Sequence, residues 1–493
     1  MILSLVALLI ACFTVWFLHD DYQRVYQAEY VSSDVCGGCH LINHQQWKQS
    51  PHHLITQSPS NHAVVGNFEN HTWFLPEKDR EVALDDLPAV KTYQSDGQYY
   101  MAIRYPDNNK YYQFKIDRVV GYQYRQTYLT KEEGGVLRRL PLQWSVARGE
   151  FFAYWNEQEK SRHSVKDLWA QMLPQNSAWN LYCARCHTTN LDIIAKDQTH
   201  TMANIEWTEP GVGCETCHGP GSEHVKYMAN NPTNRLMSFF NSRLNKQSAP
   251  YIMNAEKLEK GVALSVCARC HGSDILRKRM DIYRTYEPGF DKHGRYNDLS
   301  QYFDEAKLVP GSNAPTVEVW IDGRPKGLGT LFRSFADSRH YDKTDMRCYS
   351  CHDAHDNKLA AAQGLKKTSL TSNQFCLNCH SEVEQNLAAH TNHENGKAGS
   401  FCYDCHMPQT ILNAVSGDTH FVRSHNIGTI PNPYLSMRYG VDKSPNACNI
   451  CHQDKSPKWA LDRLTEWGQL SHVLDVPLHL SRSAESDVVH GGD

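Results

Sequence analysis

The chain has 493 residues, 40% of them hydrophobic and 21% charged, with a formal net charge of −4 at pH 7. That balance excludes a strongly basic nucleic-acid binder and leaves length for two or three ordinary domains. The departures from average usage are 17 Cys and 27 His.

Residues 2–18, ILSLVALLIACFTVWFL, form one apolar run, at the short end for a membrane span. Residues 1–19 are read as a membrane anchor or signal segment. An uncleaved anchor fits best: Trp16 and Phe17 sit where an aromatic belt would lie, and Asp20-Asp21 would face outside. A cleaved signal peptide would need a small-x-small site and an initial Lys or Arg, and neither is evident. Leu9-Ile10-Ala11-Cys12 suits a lipoprotein signal, but the chain stays apolar after Cys12. Each of the three alternatives carries the rest of the chain across a membrane.

A Cys-x-x-Cys-His motif first occurs at Cys36, Cys39 and His40, in a module over residues 20–67. Residues 68–145 read differently. From 92 to 129 aromatic and β-branched residues dominate, with turn signals at Ser95-Asp96-Gly97 and Pro106-Asp107-Asn108-Asn109. Strands and hairpins are predicted there, with the many Tyr packing a half-buried sheet.

Seven more copies fill residues 146–465. They are Cys183-Cys186-His187, Cys214-Cys217-His218, Cys267-Cys270-His271, Cys348-Cys351-His352, Cys376-Cys379-His380, Cys402-Cys405-His406 and Cys448-Cys451-His452. Helices are predicted over Ala255 to Val266 and over Pro457 to Gly468, the second from Pro at its start and Gly at its end. Residues 284–330 read as a long loop, and 466–493 as a polar C-terminal tail.

Sixteen of the 17 Cys lie in the eight motifs, leaving only Cys12. The spacing is that of covalent c-type haem attachment. Two thiols add across the two vinyl groups of one haem, and the adjacent imidazole falls under the iron. Zinc sites would pair Cys-x-x-Cys units without a fixed trailing His, and thioredoxin-like redox motifs occur singly. The fold class expected is a multihaem cytochrome c, mostly α-helix and ordered loop around a haem stack. A β-rich insertion would separate haems 1 and 2. The cofactor expected is eight covalently bound haem c. Their propionates, about 16 charges against roughly +8 from ferric bis-His irons, would make the holoprotein clearly acidic.

Eight proximal His leave 19 others, and bis-His ligation needs eight of them. His224 follows motif 3 in Cys-His-Gly-Pro-Gly-Ser-Glu-His, and His355 follows motif 5 in Cys-His-Asp-Ala-His. His393 lies nine residues before Cys402, His425 in the loop before motif 8, and His52 just after motif 1. His71, His340 and His420 complete the expected distal set, with His62, His163 and His293 in reserve.

Four segments carry a resemblance. They are Val212-Gly-Cys-Glu-Thr-Cys-His-Gly-Pro-Gly-Ser-Glu-His224, Cys348-Tyr-Ser-Cys-His-Asp-Ala-His355, His393 through Cys402-Tyr-Asp-Cys-His-Met-Pro408, and Ser444-Pro-Asn-Ala-Cys-Asn-Ile-Cys-His452. The chain resembles octahaem c-type cytochromes with haem arrangements like those of hydroxylamine oxidoreductase and octahaem tetrathionate reductase. It resembles more closely the bacterial multihaem cytochromes often fused to tetratricopeptide repeats, here without those repeats. It also lacks the Cys-x-x-Cys-Lys variant that marks the catalytic haem of the tetrathionate and nitrite octahaem reductases.

The resemblance implies a periplasmic octahaem cytochrome passing electrons along mainly bis-His haems. The alternative it implies is a reductase of nitrite, hydroxylamine or tetrathionate with one open-site haem. Arg185, Arg269 and Tyr182 would then be candidates to hold the anion. No Tyr follows His452, so the covalent Tyr–haem link of hydroxylamine oxidoreductases has no counterpart. The partners expected are a quinol dehydrogenase or other periplasmic cytochromes, with the inner membrane reached through residues 2–18. No nucleic acid is expected, and homo-oligomers joined through a spare exposed His remain a third alternative.

Overall fold

The computed structural model describes residues 28–79, 87–153, 162–196, 203–244, 248–272, 319–356, 359–360, 368–369, 372–412, 421–428 and 433–468. The apolar run at 2–18, the C-terminal tail beyond residue 468 and most of the long loop at 284–330 lie outside them. No described helix is long and apolar enough to cross a membrane.

Among the described residues, nine strands lie between motifs 1 and 2. β1 (Thr56–Gln57), β6 (Arg118–Val120), β7 (Arg125–Lys131), β8 (Leu137–Ser145) and β9 (Glu150–Ala153) form one antiparallel sheet in the order β1-β6-β7-β8-β9. β2 (His71–Trp73), β3 (Val90–Ser95), β4 (Gln98–Arg104) and β5 (Tyr111–Lys115) form a second, in sequence order. The predicted hairpin at Ser95-Asp96-Gly97 is the β3–β4 turn. Asp96 and Gly97 both take positive φ, 51° and 71°, as a two-residue hairpin turn requires.

The sheets reach beyond the expected 68–145 at both ends. β1 is drawn in because Thr56 and Gln57 pair with Val120 and Val119. β9 is drawn in because Phe151 and Phe152 bury against β8. Phe68, Val90, Tyr99, Met101, Ile103, Ile116, Tyr128, Leu140, Leu142 and Phe151 share one cluster, closed by Leu168 from the helix Val165–Gln171. Two of the expected Tyr, Tyr99 and Tyr128, are therefore core residues, while Tyr112 and Tyr124 are exposed. Leu140 is fully buried in this cluster, so Leu140→Ala should cost the holoprotein about 2–5 kcal/mol in chemical denaturation. A loss below about 1 kcal/mol would show that the two sheets do not share a core.

Beyond these sheets the described residues are mainly short helices, several of them carrying an attachment motif, with four two-stranded antiparallel ladders among them. The helix predicted at Ala255 to Val266 is displaced. The Asn254 side chain caps a single turn at Ala255–Lys257 by accepting from Glu256 N. The helix proper runs Lys260–His271, through motif 4 to its imidazole. Val262, Ala263, Leu264, Ser265, Val266 and Ala268 are all buried, so the helix has no solvent face for an amphipathic pattern to reveal. The last described helix, Pro457–Glu466, has Pro at its first turn and Ser456 Oγ accepting from Trp459 N. Gly468 at φ +70° ends it.

The N-terminal segment is tied onto motif 3. Glu215, buried between Cys214 and Cys217, accepts from Val31 N, Ser32 N and Gly221 N. Ser33 Oγ accepts from Cys214 N at 2.9 Å and donates to Glu209. Motif 1 therefore sits beside motif 3, although 178 residues separate Cys36 from Cys214.

Candidate metal centres

Six motif imidazoles face a second imidazole from elsewhere in the chain. The ring centroids are 6.5 Å apart for His52 and His271, 6.3 Å for His218 and His355, and 6.0 Å for His340 and His380. They are 6.1 Å apart for His352 and His425, 6.1 Å for His390 and His406, and 6.2 Å for His393 and His452. Direct ring packing does not require this narrow range, but a shared metal does. Two metal–nitrogen bonds of about 2 Å, plus roughly 1 Å from each nitrogen to its ring centre, give about 6 Å. The spacing fits a haem iron between each pair.

The second nitrogen of many of these rings has a fixed partner. Nδ1 of His52 meets Ala354 O at 3.3 Å, that of His218 meets Met253 O at 2.7 Å, and that of His393 meets Thr391 O at 2.6 Å. Nδ1 of His425 meets Arg423 O at 3.1 Å. A carbonyl only accepts, so each Nδ1 carries the hydrogen and Nε2 keeps the lone pair a metal needs. Burial pushes His271, His406 and His425 down to about 4, with neighbouring imidazoles adding to the effect. Neutral rings are the form that ligates. Gly399, at φ +86°, lets the His393 ring lie where any Cβ would stand.

The expected distal residues divide clearly. His52, His340, His355, His393 and His425 each face a motif imidazole. His224 places Nδ1 2.9 Å from Pro250 O and lies within electrostatic reach of His40, the motif 1 imidazole. His71 does not join them. It sits in β2 and packs on Phe151 at 5.6 Å, because the strand pairing carries it into the β core. His420 and the reserve His293 lie outside the described residues. His62 is exposed, and the backbone N of His163 donates to Asp79.

Sequence reasoning missed His390. It lies in the helix Leu387–Thr391 and faces His406 of motif 7. Three residues later His393 faces His452 of motif 8. One short segment thus serves two neighbouring motifs. The available signal was the His-Thr-Asn-His spacing, which puts both rings on one side of a helix end.

His187 of motif 2 is half-buried, and Trp179 lies edge-on to it with ring centroids 6.1 Å apart. Burial, then the Arg125 guanidinium, pushes it down to about 4. A cavity of about 450 Å³ opens beside Cys183 of this motif, lined among others by Arg139, Gln171, Asn176, Trp179 and Tyr182. Of the three anion-holding candidates from sequence, only Tyr182 lines it.

Different motifs also meet through neighbouring groups: Ser33 Oγ accepts from Cys214 N, Cys186 Sγ lies 3.9 Å from Arg269 O, and Asn373 Oδ1 accepts from Cys402 N.

Repeated attachment motifs and imidazole pairs spaced for an iron define a multihaem c-type cytochrome with covalently bound haem c. The family described as cytochrome c554 and c-prime matches residues 143–219, the stretch holding motifs 2 and 3. The dissimilatory sulfite reductase MccA of Wolinella succinogenes is 22% identical over 437 residues, covering 78% of this chain and 51% of that protein. The chain thus spans about half the length of that relative. Among solved structures, the outer cell wall cytochrome OcwA aligns over 89% of this chain and 86% of its own, at 17% identity and TM-score 0.46. The octahaem sulfite reductase MccA of Wolinella succinogenes aligns over 82% and 59%, at 17% identity and TM-score 0.34.

Proposed function

We propose that this protein is an electron-transferring octahaem cytochrome held at the outer face of the inner membrane by residues 2–18. The observation that carries the reading is the set of six imidazole pairs at 6.0–6.5 Å. A haem iron with two protein imidazoles has no open position, so it exchanges electrons without binding substrate. The chain's own residues do the remaining work. Carbonyls orient His52, His218, His393 and His425, and burial favours the neutral form of His271, His406 and His425. The partners proposed are a quinol dehydrogenase and other periplasmic cytochromes.

The reading is tested by ligand challenge. Sulfite, nitrite, hydroxylamine and cyanide at millimolar concentration should leave the oxidised spectrum unchanged, since each would have to displace a tethered imidazole. A ligand-induced shift confined to one haem would contradict it.

A second reading is favoured by the cavity beside Cys183 and by the similarity to a sulfite reductase. On this reading motif 2 is the site of a small sulfur or nitrogen oxyanion reductase, and Arg139 holds the anion with its planar fork of donors. Arg139→Gln should then lower dye-linked turnover of sulfite or nitrite by about 100-fold. Turnover unaffected by the change would remove Arg139 from the site.

A further inference from the structure

Four consecutive residues reach three of the centres. His352 belongs to motif 5 and faces His425. His355 faces His218 of motif 3. Between them the Ala354 carbonyl accepts from Nδ1 of His52, and His52 faces His271 of motif 4. Displacing this turn would therefore disturb the centres of motifs 3, 4 and 5 together.

Motif 4 and the segment leading into it meet motif 2, motif 3 and the residue before motif 5. Cys186 of motif 2 points its thiol at the carbonyl of Arg269, which lies between Cys267 and Cys270, at 3.9 Å. Cys217 of motif 3 packs into the cluster of Val262, Ala263 and Val266, on the helix that ends in motif 4. Arg347, the residue before motif 5, donates to Leu258 O at 2.6 Å, just ahead of the same helix.

The contacts continue away from motif 4 on both sides. Motif 3 leads to motif 1 through Ser33 and Cys214. Motif 6 meets motif 7 where Asn373 Oδ1 accepts from Cys402 N at 2.8 Å.

We propose that motif 4 is a three-way junction in the electron path, joining motif 2, an arm through motifs 3 and 1, and an arm beginning at motif 5. Asp353 is the positioning residue that sets the level of the motif 3 arm. The proposal rests on the reading that each of these motifs carries a haem. With haems bound, each step would move one electron, the donor centre being oxidised as its neighbour is reduced, so no further reactant would be needed. Asp353 Oδ1 lies 3.3 Å from His355 Nδ1. A carboxylate accepting from that N–H makes the imidazole a stronger donor to the metal and holds the centre's potential down.

Two measurements on the full-length holoprotein test this. The first is a structure with haems in place. It should show the motif 4 porphyrin with three porphyrin neighbours, and the motif 2 porphyrin nearest to it. A motif 2 porphyrin nearer to any other, or only two neighbours at motif 4, overturns the junction. The second is a spectroscopic redox titration. Asp353→Asn should raise one low-spin midpoint, and Asp353→Glu should restore it. Each 59 mV of rise corresponds to a tenfold shift of the one-electron equilibrium towards that centre. If no midpoint moves in Asp353→Asn, or Asp353→Glu shifts as far, Asp353 has no such role. Haem mass on the same sample reports the loading reading separately.

Discussion

In the holoprotein, His425→Met converts one bis-His centre to a His/Met centre and raises its potential, while the others titrate as before. The expected rise is on the order of 0.1 V, a modest part of the roughly 0.8 V over which axial ligands set haem potentials. The geometry explains why one substitution should act on one centre. His425 faces His352 at 6.1 Å, its Nδ1 is held by Arg423 O, and its backbone N donates to Ser334 Oγ. Ser334 is fully buried, so the backbone that presents residue 425 is anchored independently of the side chain. His71→Met is the control, since His71 packs on Phe151 in the β core, and it should move no midpoint. An unchanged titration for His425→Met, or a shift for His71→Met, would mean the pairs have been misassigned.

The second large effect concerns maturation. A chain lacking residues 2–18 should accumulate without covalent haem. These residues are one uninterrupted apolar run, and attachment of haem to c-type apoproteins takes place outside the cytoplasm. The loss should reach beyond spectroscopy. Structure that depends on an inserted group is lost without it, as in small metal domains. Haem staining of the truncated chain checks this, and normal loading would contradict the membrane assignment.

The Cys-x-x-Cys-His motifs stand out in the sequence because the attachment chemistry they suit is local, and all eight copies here share one spacing. Distal ligands obey no such rule. His52 reaches His271 across 219 residues and His218 reaches His355 across 137, so only the fold decides them. Those near a motif, such as His355 in Cys-His-Asp-Ala-His, could be guessed. His71 misled because nothing in its neighbours distinguishes a strand residue bound for an aromatic core from a ligand. His390 was not legible because nothing in the sequence shows that two His three residues apart serve two different motifs. The strands from 90 to 131 were legible through their aromatic and β-branched runs. β1 and β9 were not, since two- and four-residue strands exist only through their partners. The helix ending at His271 was placed early because its buried residues run all round it, leaving no periodicity to mark its ends.

The central claim is that paired protein imidazoles close the irons, and the electron paramagnetic resonance spectrum of the oxidised holoprotein tests it most directly. Near-parallel imidazole planes give rhombic low-spin signals, and crossed planes give low-spin signals with one very large g value. The His218/His355 and His390/His406 planes are 7° and 16° apart, and the His52/His271 and His340/His380 planes 64° and 73°. The account predicts both low-spin classes and no high-spin iron. A high-spin signal integrating to one haem, perturbed by sulfite or nitrite, would contradict it and establish an open site.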